Sequence, residues 1–200
     1  VIEAQRKGVE NFYVTRGHII FTSIFRALLE GGEARFDGLL MPGPVSTVIG
    51  SKAYDFIPRK YKLPCVITGL EICDILQSIY MLLKQIEEDK PRVENQYLRC
   101  VSEEGNLAAK KVLDEAFEVC DSPLRGFGVV SKSGLRLKKK YEQFDADKVY
   151  NVQIKETEES KGCICGEVLR VVKKPSDCPL FGKACTPTRP IGPCMVDPNG

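Results

Sequence analysis

The sequence predicts an α/β fold: a mostly parallel sheet flanked by helices, followed by a small irregular domain rich in cysteine and proline. Three observations predict it. Short apolar runs alternate with amphipathic stretches through the first 130 residues, the pattern of strands and helices in α/β units. Glycines follow several of the runs, at Gly43, Gly69 and Gly134, where a loop would leave the end of a strand. Beyond residue 160 the composition changes: five of the nine cysteines and six of the twelve prolines fall between Lys161 and Gly200.

Taken in order, Asn11–Arg16 reads as a short strand and Thr22–Glu30 as a helix closed by Gly31 and Gly32. Phe36–Met41 is a second apolar run, ended by Pro42-Gly43-Pro44. Val45–Tyr61 reads as helical with a break near Gly50, and Leu63–Thr68 as a third run. The strongest helix follows. Ile72, Ile75, Leu76, Ile79, Leu82, Leu83 and Ile86 recur at three- and four-residue steps, and Pro91 stops the pattern. A further helix is expected over Glu103–Val119, with Ala108, Val112, Leu113, Ala116 and Phe117 on one face. Gly126–Ser131 reads as a buried strand, and Arg136–Lys140 as a solvated charge run. The polar stretch Glu156–Lys161 marks a boundary, giving an α/β region at 1–155 and a cysteine-rich domain at 156–200.

Composition narrows the function. A net charge of +2 argues for neither nucleic acid nor an anionic membrane surface as partner. No apolar run approaches the ~18 residues that span a bilayer. The chain opens on Val1 in what reads as ordinary domain sequence, so a piece of a longer protein is expected. The only histidine, His18, removes histidine-rich zinc sites, and neither a nucleophile elbow nor a phosphate-binding glycine loop is present. Cys65, Cys73, Cys100 and Cys120 show no spacing pattern and are expected to be small buried hydrophobes. Scattered thiols beside one dense cluster point to a reducing compartment, hence the cytoplasm.

The dense cluster carries the chemistry. Proline fixes φ and has no N–H, so its density rules out a helix or an interior strand across Lys161–Gly200, and the segment needs another cross-link. Cys163 and Cys165 form C-x-C; Cys178, Cys185 and Cys194 follow after twelve, six and eight residues. The paired C-x2-C knuckles of zinc ribbons are absent, whereas iron–sulfur sites accept irregular separations. An iron–sulfur cluster is therefore the leading expectation, ahead of a structural zinc site, or a thiol-stapled interaction domain, and of redox disulfides. The lysines at 161, 173, 174 and 183 form a basic rim, and Glu71, Glu94 and Asn95 are candidate polar groups for a crevice at the sheet edge.

Several blocks together carry a resemblance. G-L-E-I-C-D-I-L-Q-S-I-Y-M-L-L-K-Q (69–85), V-E-N-Q-Y (93–97), E-G-N-L-A-A (104–109), S-G-L-R-L (133–137) and F-D-A (144–146) lie in the first 155 residues. C-I-C-G-E-V-L (163–169), D-C-P-L-F-G (177–182), C-T-P (185–187) and G-P-C-M-V (192–196) follow. In this order they strongly resemble the HypD family of nickel–iron hydrogenase maturation proteins. The resemblance implies α/β domains with a C-terminal [4Fe-4S] domain, in an assembly scaffold with redox function more than a classical enzyme. It implies a role in assembling the iron centre that carries cyanide and carbon monoxide, with a HypC-like chaperone and a HypE-like cyanide donor as partners. Cys165, Cys178, Cys185 and Cys194 are the expected ligands, with Cys163 as the spare thiol or exchanging roles with Cys165. The family's motif C-G-P-G-C-P-V-C, expected to hold the iron, is absent from this chain. Two further departures are Pro44, where the family pattern P-G-H-V-S has histidine, and Asn199, where it has a carboxylate.

Overall fold

The computed structural model describes residues 1–32, 35–124, 127–150 and 160–195. In chain order the first elements are α1 (Ile2–Arg6), β1 (His18–Ile19), α2 (Phe21–Glu30), β2 (Leu39–Pro42), α3 (Gly43–Ile49), β3 (Cys65–Thr68) and α4 (Ile72–Glu87). After them come β4 (Val93–Asn95), α5 (Leu107–Ala116), β5 (Phe117–Leu124), β6 (Gly128–Leu137), α6 (Ala146–Val149) and α7 (Cys165–Leu169). Two compact units result, one built from Phe36–Glu115 and the other from Val1–Arg35 with Ala116–Gly200. The boundary expected near residues 150–160 falls largely on 151–159, outside the described residues.

The Phe36–Glu115 unit has the expected parallel sheet, in the order β2-β3-β4. Leu39 pairs with Cys65 and Cys65 with Val93, so β3 is the central strand. All four of its residues are buried, as a central strand covered on both faces requires. The helical stretch after β2 is broken at Gly50 as expected, into α3, a 3-10 turn at Ser51–Tyr54 and a π turn at Ile57–Tyr61. Ser46 and Tyr54 are both wholly buried; the Ser46 hydroxyl donates to the Pro42 carbonyl at 2.8 Å and lies 3.0 Å from the Tyr54 hydroxyl.

The helix α4 holds the main surprise. Its apolar stripe is not its core face. Ile72, Leu76 and Leu83 are 76%, 62% and 59% exposed, while Asp74, Ser78 and Gln85 are buried. Gln85 explains the inversion: its side-chain amide donates to Glu94 at 2.6 Å and its oxygen accepts the Arg92 N–H at 3.0 Å. The inner face thus binds the β4 edge through polar groups, with Leu82 packed over Gly38.

The second unit departs from the expected parallel pattern. Its sheet is antiparallel, ordered β1-β6-β5. The helix expected over Glu103–Val119 is shorter at both ends. Asn106 caps the N-terminus of α5, its Oδ1 accepting the Ala109 N–H at 3.0 Å. At the other end Phe117, Glu118 and Val119 pair with Leu137, Arg136 and Leu135, so strand pairing overrides local helical periodicity. Of the strand expected at Gly126–Ser131, Gly126 lies outside the described residues and Gly128–Ser131 opens β6; it is not buried, since Val129 is 74% exposed. Gly134 is no turn residue. It sits within β6 opposite Cys120, and a Cβ there would lie 2.7 Å from the Ser122 Cβ.

Asn11–Arg16 forms no strand; it makes one parallel bridge, Val14 to Asp145. That bridge accounts for the F-D-A block. Phe144 packs with Tyr141 and Ala116 in the core of this unit. The Asp145 carboxylate caps α6 by accepting the Asp147 N–H at 3.1 Å, and pairs with Arg16 at 3.4 Å. The Ala146 N–H donates to the Val14 carbonyl at 3.0 Å. Among the described residues no helix is long and apolar enough to cross a membrane.

The inverted helix makes a direct prediction. Gln85→Ala leaves buried partners unpaired and should cost about 1–3 kcal/mol in urea unfolding. Leu76→Gln, on the exposed stripe, should stay within about 0.5 kcal/mol of the parent. A core role for the stripe would reverse that order.

Candidate metal centre

The cysteine-rich segment builds almost no regular structure, as its prolines require. The helix α7 is five residues long, and 3-10 turns start on Pro175 and Pro193, where a missing N–H costs nothing. Its other backbone bonds are local. The Cys185 N–H donates to Leu180 at 2.9 Å, and the Gly182 N–H to Cys185 at 3.0 Å. Asp177 accepts the Lys174 N–H at 2.9 Å and ties off the turn between α7 and Cys178.

These turns bring all five sequence-predicted thiols together. Cys163, Cys165, Cys178, Cys185 and Cys194 line one cavity of about 270 Å³, whose remaining wall is mainly apolar. Val168, Leu180, Phe181 and Met195 supply most of that wall. One water occupies ~30 Å³ of liquid, so the space suits a multi-atom group. Among the described residues no group of three or more His, Cys, Asp or Glu side chains is arranged to hold a metal ion.

Three features of the chain suit an inorganic group held by sulfur. Cys165 and Cys185 are buried, and each sulfur accepts a backbone N–H: Cys165 from Cys194 at 2.9 Å, Cys185 from Ile191 at 3.3 Å. A Cβ on Gly192 would lie 2.9 Å from the Cys163 sulfur and 3.1 Å from that of Cys165, so only glycine lets the chain pass so close. Without a cation, burial first and the neighbouring Cys194 and Cys163 second push the Cys165 thiol up to about 12. Thiolate ligation to a positive centre is what would reverse that shift. The donor set therefore fits an iron–sulfur group.

The sheet-edge candidates separate. Glu71 precedes α4, with its side chain 81% exposed and 3.7 Å from Arg99. Glu94 pairs with Gln85 and with Arg92 at 3.1 Å, holding β4 to α4. The Asn95 amide donates to Val101 at 2.8 Å, and its buried Oδ1 has no protein partner. Pro44 lies in the first turn of α3. Asn199 lies outside the described residues.

Residues not singled out in the sequence organise this edge. Asp74 is clamped by Arg99 through bonds of 2.8 and 2.5 Å and accepts from Gln96 at 2.9 Å. Arg99 also lies 4.4 Å over the Tyr97 ring. An aspartate in the first turn of an otherwise apolar helical stretch was the available signal.

His18 rests against Phe117, ring centroids 5.1 Å apart, on an exposed strand. Lys161, Lys173, Lys174 and Lys183 are all exposed. Of the four scattered cysteines expected to be buried, Cys65 is buried and Cys120, on β5, is only half-buried. Cys73 and Cys100 are exposed, because α4 turns its apolar side outward and Cys100 lies in the turn after β4.

A parallel sheet in one unit and, in the other, a thiol-lined cavity built on turns define a cysteine-rich α/β protein. The chain belongs to the HypD family, described as hydrogenase formation hypA family, which it matches over residues 1–200. It is 42% identical over 200 residues to a putative hydrogenase expression/formation protein of Methanocaldococcus jannaschii, covering 100% of this chain and 56% of that protein. To hydrogenase maturation factor HypD of Azotobacter vinelandii it is 41% identical over 204 residues, covering 99% and 54%. The corresponding factor of Cupriavidus necator is 38% identical over 205 residues, with coverage of 99% and 54%. The chain thus spans about half the length of the curated relatives it matches.

Two outcomes follow. In the metal-free protein Cys73 and Cys100 should react first with a thiol reagent. Cys65, wholly buried with its thiol pushed up to about 12 by burial, should react only on unfolding. Mass mapping of labelled peptides checks the order. Separately, Arg99 first and Gln96 second hold the Asp74 carboxyl at about 2, below its ordinary ~3.9. This stabilisation is complete above the ordinary value and is lost as pH falls through roughly 4 to 2. Thermal unfolding against pH should show that acid loss, and Arg99→Met should flatten it.

Proposed function

We propose that this chain serves nickel–iron hydrogenase maturation as an assembly scaffold and electron relay for the iron centre that carries cyanide and carbon monoxide. The observation that carries the reading is the convergence of all five late cysteines on one apolar cavity in a member of the HypD family. The names of the relatives, hydrogenase maturation factors and a hydrogenase expression/formation protein, support the process.

In this reading Cys165, Cys178, Cys185 and Cys194 hold a [4Fe-4S] cluster as thiolates, and Cys163 is the thiol beside it. Bound there, the cluster supplies one-electron chemistry. The chain's own residues do the rest. Val168, Leu180, Phe181 and Met195 exclude water from the sulfurs. The exposed lysines 161, 173, 174 and 183 give the segment a basic rim that attracts an acidic electron donor. The iron with its cyanide and carbon monoxide ligands is cargo, assembled together with a HypC-like chaperone and with cyanide received from a HypE-like donor. The compartment is the cytoplasm, where thiols stay reduced.

Anaerobic reconstitution with ferrous iron and sulfide tests the site. The expected product is brown, with iron and acid-labile sulfide in equal amounts and an EPR signal on reduction. Cys178→Ser should lose that signal and Cys163→Ser should retain it. A colourless protein with one zinc would establish the structural-zinc alternative instead.

A further inference from the structure

The stretch Ile191–Cys194, I-G-P-C, is laid directly against the sulfurs, and it does more than deliver Cys194. Two of its backbone N–H groups point at thiols on other parts of the segment: Ile191 donates to Cys185 at 3.3 Å and Cys194 to Cys165 at 2.9 Å. Between the donors lies Gly192, whose missing side chain is required, since a Cβ would approach the Cys163 and Cys165 sulfurs at 2.9 and 3.1 Å. Pro190 and Pro193 flank these positions and fix φ on either side of the glycine. The Met195 N–H returns to the Gly192 carbonyl at 3.1 Å and closes the turn. The donors are therefore held in place by the covalent chain and by a local bond.

We propose that Ile191–Cys194 is a positioning strap that raises the reduction potential of the group held by the thiols, through the N–H bonds to Cys185 and Cys165. The inference rests on the reading that an iron–sulfur cluster occupies the cavity. Reduction adds negative charge that the cluster shares with its sulfur ligands. An N–H dipole aimed at a ligand sulfur favours that form, and hydrogen bonds to sulfur are among the determinants of cluster potential. The two acceptors are the buried cysteines of the five, where low dielectric gives such a dipole its largest effect. Ile191 is therefore assigned its role by its backbone, and Gly192 by the absence of a side chain.

The test removes one donor from the 200-residue chain. Cys185 is a natural ligation junction, so a synthetic 185–200 peptide carrying an ester in place of the Ile191 amide can be joined to the remainder. The same ligation with an all-amide peptide is the control. After anaerobic reconstitution, both proteins should take up equal iron and sulfide. In an EPR-monitored titration with dithionite the ester protein should have the more negative midpoint, by about 59 mV, a tenfold change in the one-electron equilibrium. Equal midpoints would overturn the strap. Gly192→Ala should take up less iron or change the EPR line shape; unaltered uptake and line shape would overturn the steric half. If the all-amide protein assembles no iron and sulfide, the cluster reading falls and the strap with it. Strap failure alone appears only in the potential and line shape of a loaded protein.

Discussion

Proline sets the terms for the part of this chain that carries its chemistry. Each one removes a donor and fixes a torsion, so residues 160–195 cannot hold themselves by ladders of backbone bonds. What remains is a series of turns, each closed by one or two local bonds, with side chains gathered inward. Thiols are the groups gathered. A segment of this kind has little stability of its own, and a group bound by sulfur contributes folding free energy directly. The same constraint that forbids a sheet makes a sulfur-lined cavity the natural centre of the segment, with two prolines aiming amide donors at it.

The Phe36–Glu115 unit obeys a different balance. Its central strand is buried in the ordinary way, but α4 meets the sheet through Asp74, Ser78 and Gln85. Hydrogen bonds there are made to an aspartate held by Arg99 and to the edge of β4. The apolar side of the helix is left outward, over several turns and with few charges among its residues. Such a face is large for a lone surface helix, and it shows that amphipathicity reports two unlike faces without saying which one points in.

In the second unit, antiparallel pairing decides the structure. The β5–β6 hairpin captures residues whose local pattern is helical, and Gly134 becomes a point of close strand contact in place of a loop. The F-D-A block has one physical account for all three residues: a core ring, a capping carboxylate and a backbone bridge. These are structural tasks, and they account for the block without assigning it to catalysis.

The sequence by itself determined the elements whose cause is local. Apolar runs placed β2 and β3, periodicity placed α4, Gly50 placed a helix break, and proline density limited the described part of the cysteine segment to one short helix and turns. It also named the five thiols, because cysteine spacing is written in the chain. Tertiary structure decided what depends on partners distant in sequence. Which face of α4 turns inward follows from Gln85 meeting Arg92 and Glu94; the strand at Phe117–Val119 follows from Leu135–Leu137 lying opposite. That Ile191 and Gly192 belong to the thiol site depends on distances to Cys185, Cys163 and Cys165 that no spacing rule contains. Periodicity records that a residue is apolar or polar, whereas burial and bonding depend on the neighbour that the fold supplies.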